Sequence, residues 1–116
     1  MAFTYSRLTE ITTISDSAAS VYSNPSSTTS YLRQILLHNT SSSEETVELW
    51  VVPDSGGLEG TAADANKIYE ETLPSGATRM IEFAPPGYIL EDENETLQAA
   101  ASTASVVTIS VMGAVE

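Results

Sequence analysis

The chain predicts an all-β domain: a single antiparallel β-sandwich of about eight short strands, in a jelly-roll or immunoglobulin-like order. Three observations carry this. Runs rich in β-branched and aromatic residues recur along the chain, among them Glu45-Thr-Val-Glu-Leu-Trp-Val-Val52 and Ser105-Val-Val-Thr-Ile-Ser-Val-Met112. Clusters of Ser, Thr, Gly, Pro and Asp separate them at the roughly 8–12-residue spacing of sandwich folds. A length of 116 residues makes one domain, with enough core to fold without disulfides, and the chain has no cysteine.

Residues 1–10, with Phe3, Tyr5 and Arg7, read as an N-terminal arm, and 11–116 as the sandwich domain. The β-branched stretch 8–14 opens the sheet, and Ala18 to Tyr22 makes a second short strand. Asn24-Pro25-Ser-Ser-Thr-Thr stops that strand, because Pro25 has no amide hydrogen for a ladder. Ser30 to Asn39 is apolar on both parities, with Ile35 and Leu37 on one and Leu32 and Leu36 on the other. A half-exposed strand would alternate cleanly, so this one is central, with a bulge expected near Arg33–Gln34. In 45–52, Val47, Leu49 and Val51 share one face, while Glu48, Trp50 and Val52 share the other.

A loop then runs from Pro53 to Asn66. A helical turn competes for Ala62, Ala63 and Ala65, but a loop leading to a strand over 67–73 explains the following turn better. Leu73-Pro-Ser-Gly-Ala-Thr78 reads as a hairpin into a strand over 78–83. Ala-Pro-Pro-Gly87 turns into the short strand 88–90, Asp92-Glu-Asn94 turns into 95–101, and 105–112 closes the domain.

Charge limits the partners. Sixteen acidic residues against Arg7, Arg33, Lys67 and Arg79 give −12 at neutral pH. Such a surface repels phosphate backbones and anionic bilayers, which argues against direct nucleic-acid or membrane binding. No run reaches the ~20 apolar residues of a membrane-spanning helix. The opening Met-Ala-Phe-Thr-Tyr-Ser-Arg-Leu lacks the apolar region of a signal peptide, so synthesis in a cytoplasm is expected.

Reactive chemistry is sparse, and no enzyme activity or cofactor is expected. His38 is the single histidine, at the end of a central strand, and no Gly-x-Ser-x-Gly elbow accompanies it; a rim histidine is the reading adopted. The acidic turn Glu91-Asp-Glu-Asn-Glu95 lacks the spacing of a calcium loop and reads as a solvated hairpin tip, and Asp54 and Asp64 on the long Gly loop are no better a calcium site. Gly56-Gly57 and Gly60 are not followed by the Lys-Ser/Thr of a phosphate loop. Carboxylate pairs are inevitable among so many glutamates, but a sandwich of this size has little room for a glycosidase cleft.

The stronger signal is a surplus of apolar side chains on second faces: Leu36, Trp50, Val52, Met80, Val106 and Met112. In an isolated sandwich those positions are mostly polar, so they mark either faces covered by loops or a subunit interface. The candidate interface is Phe3, Tyr5, Arg7, Leu36, Trp50, Val52, Met80 and Met112, with Trp50 as its anchor.

Several phrases carry a resemblance: Val21-Tyr-Ser-Asn-Pro25, Thr28-Thr-Ser-Tyr-Leu-Arg33, Ile35-Leu-Leu-His-Asn-Thr40, Val47-Glu-Leu-Trp-Val-Val-Pro53, Ala65-Asn-Lys-Ile68, Leu73-Pro-Ser-Gly-Ala-Thr78, Glu95-Thr-Leu-Gln-Ala and Ala104-Ser-Val-Val-Thr-Ile-Ser-Val-Met-Gly113. Over 20–113 the chain resembles the small β-sandwich structural proteins of tailed bacteriophages. The resemblance implies a virion component made in the host cytoplasm. It would be a capsid decoration (cement) protein acting as a homo-oligomer, such as a trimer, on the major capsid protein. A neck, tail or fibre module with host-surface contact is the first alternative, where Tyr69 with Glu70 and Glu71, or Tyr88 with Glu91, would meet carbohydrate. A small glycan-active or calcium-dependent domain is the second. The resemblance implies no catalytic, cofactor or metal residues. It does not extend to 1–10, which leaves the mode of attachment open.

Overall fold

Two antiparallel sheets pack face to face in a computed structural model that describes residues 4–116. Nine strands form: β1 Thr4–Thr13, β2 Ala19–Ser23, β3 Ser30–Asn39, β4 Glu45–Val52, β5 Lys67–Leu73, β6 Thr78–Glu82, β7 Tyr88–Leu90, β8 Thr96–Ala101 and β9 Val107–Val115. One sheet has the order β1-β9-β3-β6, with β7 also on β3, and the other has the order β2-β8-β4-β5. Antiparallel neighbours are therefore β1 with β9, β2 with β8, β3 with β6, and β4 with β5. With the three-residue β7 set aside, this nesting of first with last down to a central hairpin is the jelly-roll order. The jelly roll is thus the alternative that the strand order selects.

Alternation builds the core. Leu32, Ile35 and Leu37 of β3 and Val107, Ile109 and Val111 of β9 meet Val47, Leu49 and Val51 of β4 and Leu97, Ala99 and Ala101 of β8. Ile14, Leu73 and Leu90 close the ends of this layer. Burying a side chain of this size contributes about 1.5–3 kcal/mol, which makes this layer the main source of stability.

The long loop runs to Asn66 as expected, with one 3₁₀ turn at Asp64–Asn66. One expectation changes. Residues 4–10, read as an arm, belong to β1: Thr4 pairs with Val115, Tyr5 with Ala114 and Arg7 with Met112. The alternation of short β-formers was too brief to show this, and β9 had to run to Val115 to provide the partner. Phe3 lies outside the described residues. β1 is the sheet's outermost strand, and its ladder to β9 shifts register between Arg7 and Thr9 and again between Thr9 and Thr12. Such irregularities bend an edge away from flat pairing with another strand.

Two buried asparagines fasten the ends of the sandwich. Asn39 Nδ2 donates to the carbonyls of Ser43 (2.8 Å), Leu73 (3.1 Å) and Pro74 (3.2 Å), while its Oδ1 accepts from Ser41 N (2.9 Å). Asn24 Nδ2 donates to the carbonyls of Thr28 (2.8 Å) and Asp92 (3.1 Å), and its Oδ1 accepts from the Ser30 hydroxyl (2.6 Å). Each one satisfies loop carbonyls that burial would otherwise leave without partners.

Candidate functional site: the open outer face of the β1-β9-β3-β6 sheet

Because side chains alternate, each sheet has an outer face as well as a core face. The predicted interface residues divide between the two. Trp50 and Val52 lie on the outer face of the β2-β8-β4-β5 sheet, where the loop 53–66 folds back over them. Ala62 packs on a cluster of Trp50, Val52 and Ala100, and Gln98 Nε2 donates to Gly60 O at 3.0 Å. The fit is close: a Cβ on Gly60 would come within 2.7 Å of Pro53 O and 2.9 Å of Val52 Cγ1. Lys67 Nζ lies 5.8 Å from the Trp50 ring centre and pairs with Glu48 (2.6 Å) and Glu70 (2.9 Å), whose carboxylates raise its pKa. Trp50 is left 8% exposed and Val52 1%. Trp50 is therefore an internal anchor of the domain and not an exposed interface anchor. The loop had no periodicity from which this cover could be read.

The other five described candidates share one surface. Cross-strand partners point to the same face, and the register sets Arg7 beside Met112, Met112 beside Gln34, and Gln34 beside Glu82. A second row runs Tyr5, Ala114, Tyr31, Ile89, and in a third Leu36 stands between Ser110 and Met80. Among the described residues no loop closes this face as 53–66 closes the other: Tyr5 is 71% exposed, Met80 48% and Ile89 40%. Leu36 and Met112 are half-buried. Arg7 extends over the rim towards Glu10, at 3.4 Å.

Sequence reasoning missed the role of Arg33. The register shift between Leu32 and Gln34 confirms the bulge expected there. It falls where the partner of β3 changes from β7, which pairs with Ser30–Leu32, to β6, which pairs with Gln34–His38. The connecting turn 83–87 arches over this point. Phe83 N donates to Arg33 O at 2.9 Å, and Gly87 N donates to Ala84 O at 2.8 Å. Gly87 has φ 112°, and a Cβ there would lie 2.5 Å from Leu32 O and 2.9 Å from Arg33 Cδ, so only glycine lets the turn sit so low. Arg33 lines two adjoining cavities. One, of about 270 Å³, also involves Tyr5, Gln34, Glu82, Phe83 and Met112; the other, of about 350 Å³, involves Tyr5, Pro85, Pro86 and Ala114.

The remaining candidates sit in structural roles. Tyr69 packs against the core, and its hydroxyl donates to Glu71 Oε1, while Arg79 Nε donates to Glu71 Oε2 at 3.0 Å. This clasp joins β5 of one sheet to β6 of the other. Burial, and then the Glu71 hydrogen bond, push the Tyr69 phenol up to about 12; the Tyr69 hydroxyl, and then Arg79, hold the Glu71 carboxyl below its ordinary value. Tyr88 meets Phe83 edge-on, with ring centres 5.9 Å apart. His38 Nδ1 is 2.7 Å from Thr78 Oγ1. Glu95 Oε1 accepts from the amides of Glu91 (2.7 Å) and Asp92 (2.8 Å), closing its own acidic turn. Asp54 accepts from Gly57 N in the same manner. Among the described residues no three His, Cys, Asp or Glu side chains gather as a metal site would need. No helix among them is long and apolar enough to cross a membrane.

Compared with protein-family models, with curated proteins and with solved structures, the chain matches none.

Proposed function

We propose that this protein is a non-enzymatic virion structural protein of a tailed bacteriophage. In this reading it is a capsid decoration protein that binds the shell as an oligomer through the outer face of the β1-β9-β3-β6 sheet. The observation that carries the proposal is the asymmetry of the two outer faces. One apolar face is sealed by the chain's own loop, whereas Leu36, Met80, Ile89 and Met112, with Tyr5 at their edge, form an apolar surface that no loop of the described residues covers. Aromatic and methionine side chains gathered on an open face are the composition of a protein–protein interface.

Jelly rolls serve as capsid and lectin domains, and the sequence resemblance favours the first use. The fold by itself fixes neither. Stabilisation would follow mass action: a subunit that binds the mature lattice and not its precursor lowers the free energy of the bound form. Several lattice contacts made by one oligomer multiply the effect. Net charge of −12 suits an outer surface better than a DNA-facing lumen.

Residues 4–10 are not a free strand for a neighbouring sheet, because Tyr5 and Arg7 already pair with β9 of their own chain. The capsid contact is assigned to the face beside β1.

Quantitative mass spectrometry of purified virions, with microscopy of the particles, tests the proposal. A copy number that scales with the capsid lattice is the expected result. A number matching one ring or one set of fibres would move the protein to the neck, tail or fibre, and its absence from virions would overturn the proposal.

A further inference from the structure

We propose that the groove at the Arg33 bulge is a carboxylate-binding site, taking one carboxylate carried on an apolar body. The starting point is the fate of the four basic side chains. Arg7 pairs with Glu10, Lys67 with Glu48 and Glu70, and Arg79 with Glu71. Arg33 makes no ion pair among the described residues, although the chain carries sixteen acidic side chains and Glu82 lines the same cavity. Its Nε is buried without a hydrogen-bond partner, and no other buried side-chain nitrogen or oxygen of the described residues is left in that state. A buried donor on a cation is costly to leave unsatisfied, and each such group in a native structure calls for a partner such as a water, an ion or a ligand.

The surroundings are built and not incidental. A β-bulge takes Arg33 out of the strand alternation, as bulges do where a side chain must be re-aimed. Gly87 lets the 83–87 turn press on the arginine stem. The guanidinium is a planar fork that matches a carboxylate with two parallel hydrogen bonds. Apolar groups line both cavities, Phe83 and Met112 in one beside the polar Ser6 and Gln34, and Pro85 and Pro86 in the other. Cavities of about 270 and 350 Å³ suit a small group or one side chain, near the lower limit of ligand pockets. Glu82 lines the first cavity and would repel a second negative charge, which is why the site is assigned one carboxylate on an apolar body and not a dianion.

The carboxylate has two sources, a separate molecule or an acidic side chain of a second copy of this chain, and one experiment separates them. In NMR of the full chain, the Arg33 Nε–Hε signal is followed during titration with phenylacetate and, in parallel, with phenylacetamide. The same signal is followed in a dilution series without additive, alongside sedimentation velocity. A saturable shift with phenylacetate, about tenfold or more weaker with phenylacetamide, establishes a site open to free carboxylates. A concentration-dependent shift that tracks self-association in sedimentation assigns the carboxylate to a second copy, and Arg33→Met should then weaken that self-association. Glu82→Gln should tighten phenylacetate binding. Equal responses to the two phenyl compounds, or no change at Arg33 in either series, would overturn the proposal. The phenylacetate, phenylacetamide and dilution series all use the wild-type chain, so the result stands even if Arg33→Met does not fold. The virion measurement is independent, so either reading can fail without the other.

Discussion

The two outer faces of this sandwich begin from the same sequence property and reach opposite ends. β3 and β4 are both apolar on both parities, so each sheet carries hydrophobic side chains that its partner sheet cannot cover. On β4 the excess, Trp50 and Val52, is roofed by loop 53–66 and becomes a second small core. On β3 and its neighbours the excess, Leu36 with Met80 and Met112, stays at the surface. An apolar second face therefore signals only that a cover is needed; whether that cover is intramolecular depends on the loops. The open face is also where Arg33 makes no ion pair among the described residues and leaves its Nε without a hydrogen-bond partner.

Truncation at the sealed face should give the largest effect. Trp50→Ala is expected to cost about 3–5 kcal/mol of unfolding free energy in urea titration, in the range for a buried aromatic. A loss within about 0.5 kcal/mol, the range of ordinary surface substitutions, would mean the loop does not cover Trp50 in solution. Asn39→Ala should follow at roughly 2–3 kcal/mol, because it deprives the carbonyls of Ser43, Leu73 and Pro74 of a shared donor. Since Asn39 ties β3 to the end of β5, it calibrates a loss that acts on both sheets at once.

Gly60→Ala should cost about 1–3 kcal/mol by overpacking against Val52 and the Pro53 carbonyl. It should also shift the emission of Trp50, the chain's single tryptophan, to longer wavelength as the loop lifts. At the open face, Met80→Ser should change stability by no more than about 0.5 kcal/mol, as an exposed position does, while weakening assembly in sedimentation or capsid-binding assays. A large stability loss there would reverse the comparison.

The smallest effect is the pH dependence of the Tyr69–Glu71–Arg79 clasp. Glu71 has a folded pKa below its unfolded value, so its contribution is present above the unfolded carboxylate range and is lost as pH falls through the folded value. Tyr69 is the opposite case. Its contribution is complete below about 10, the pKa of a free phenol, and is lost as pH rises towards about 12. Denaturation midpoints of wild type and Tyr69→Phe, compared across pH, should differ near neutral pH and converge at the alkaline end; parallel curves would remove the clasp from the account.

Much of this was legible beforehand, for physical reasons. Strand positions follow from period-two alternation and from turn residues such as Asn24-Pro25 and Pro74-Ser-Gly76, which act over a few bonds. The bulge near Arg33 was visible because the apolar parity slips there. The pairing of residues 4–10 was not visible, since it depends on β9, about a hundred residues away. Nor were the staples at Asn24 and Asn39, whose acceptors lie on distant loops and whose sequence context looks like any polar turn.

By itself, the sequence determined the sandwich, its core face, the central place of β3, the acidic surface and the presence of apolar side chains in excess of that core. Tertiary structure decided the jelly-roll order, which excess is roofed and which is open, and that Arg33 alone among the cations lacks an ion pair among the described residues. The division has one cause. Alternation and turn propensity are local properties of the backbone, whereas covering a face or pairing a charge depends on where an aperiodic loop lands after the sheets have closed.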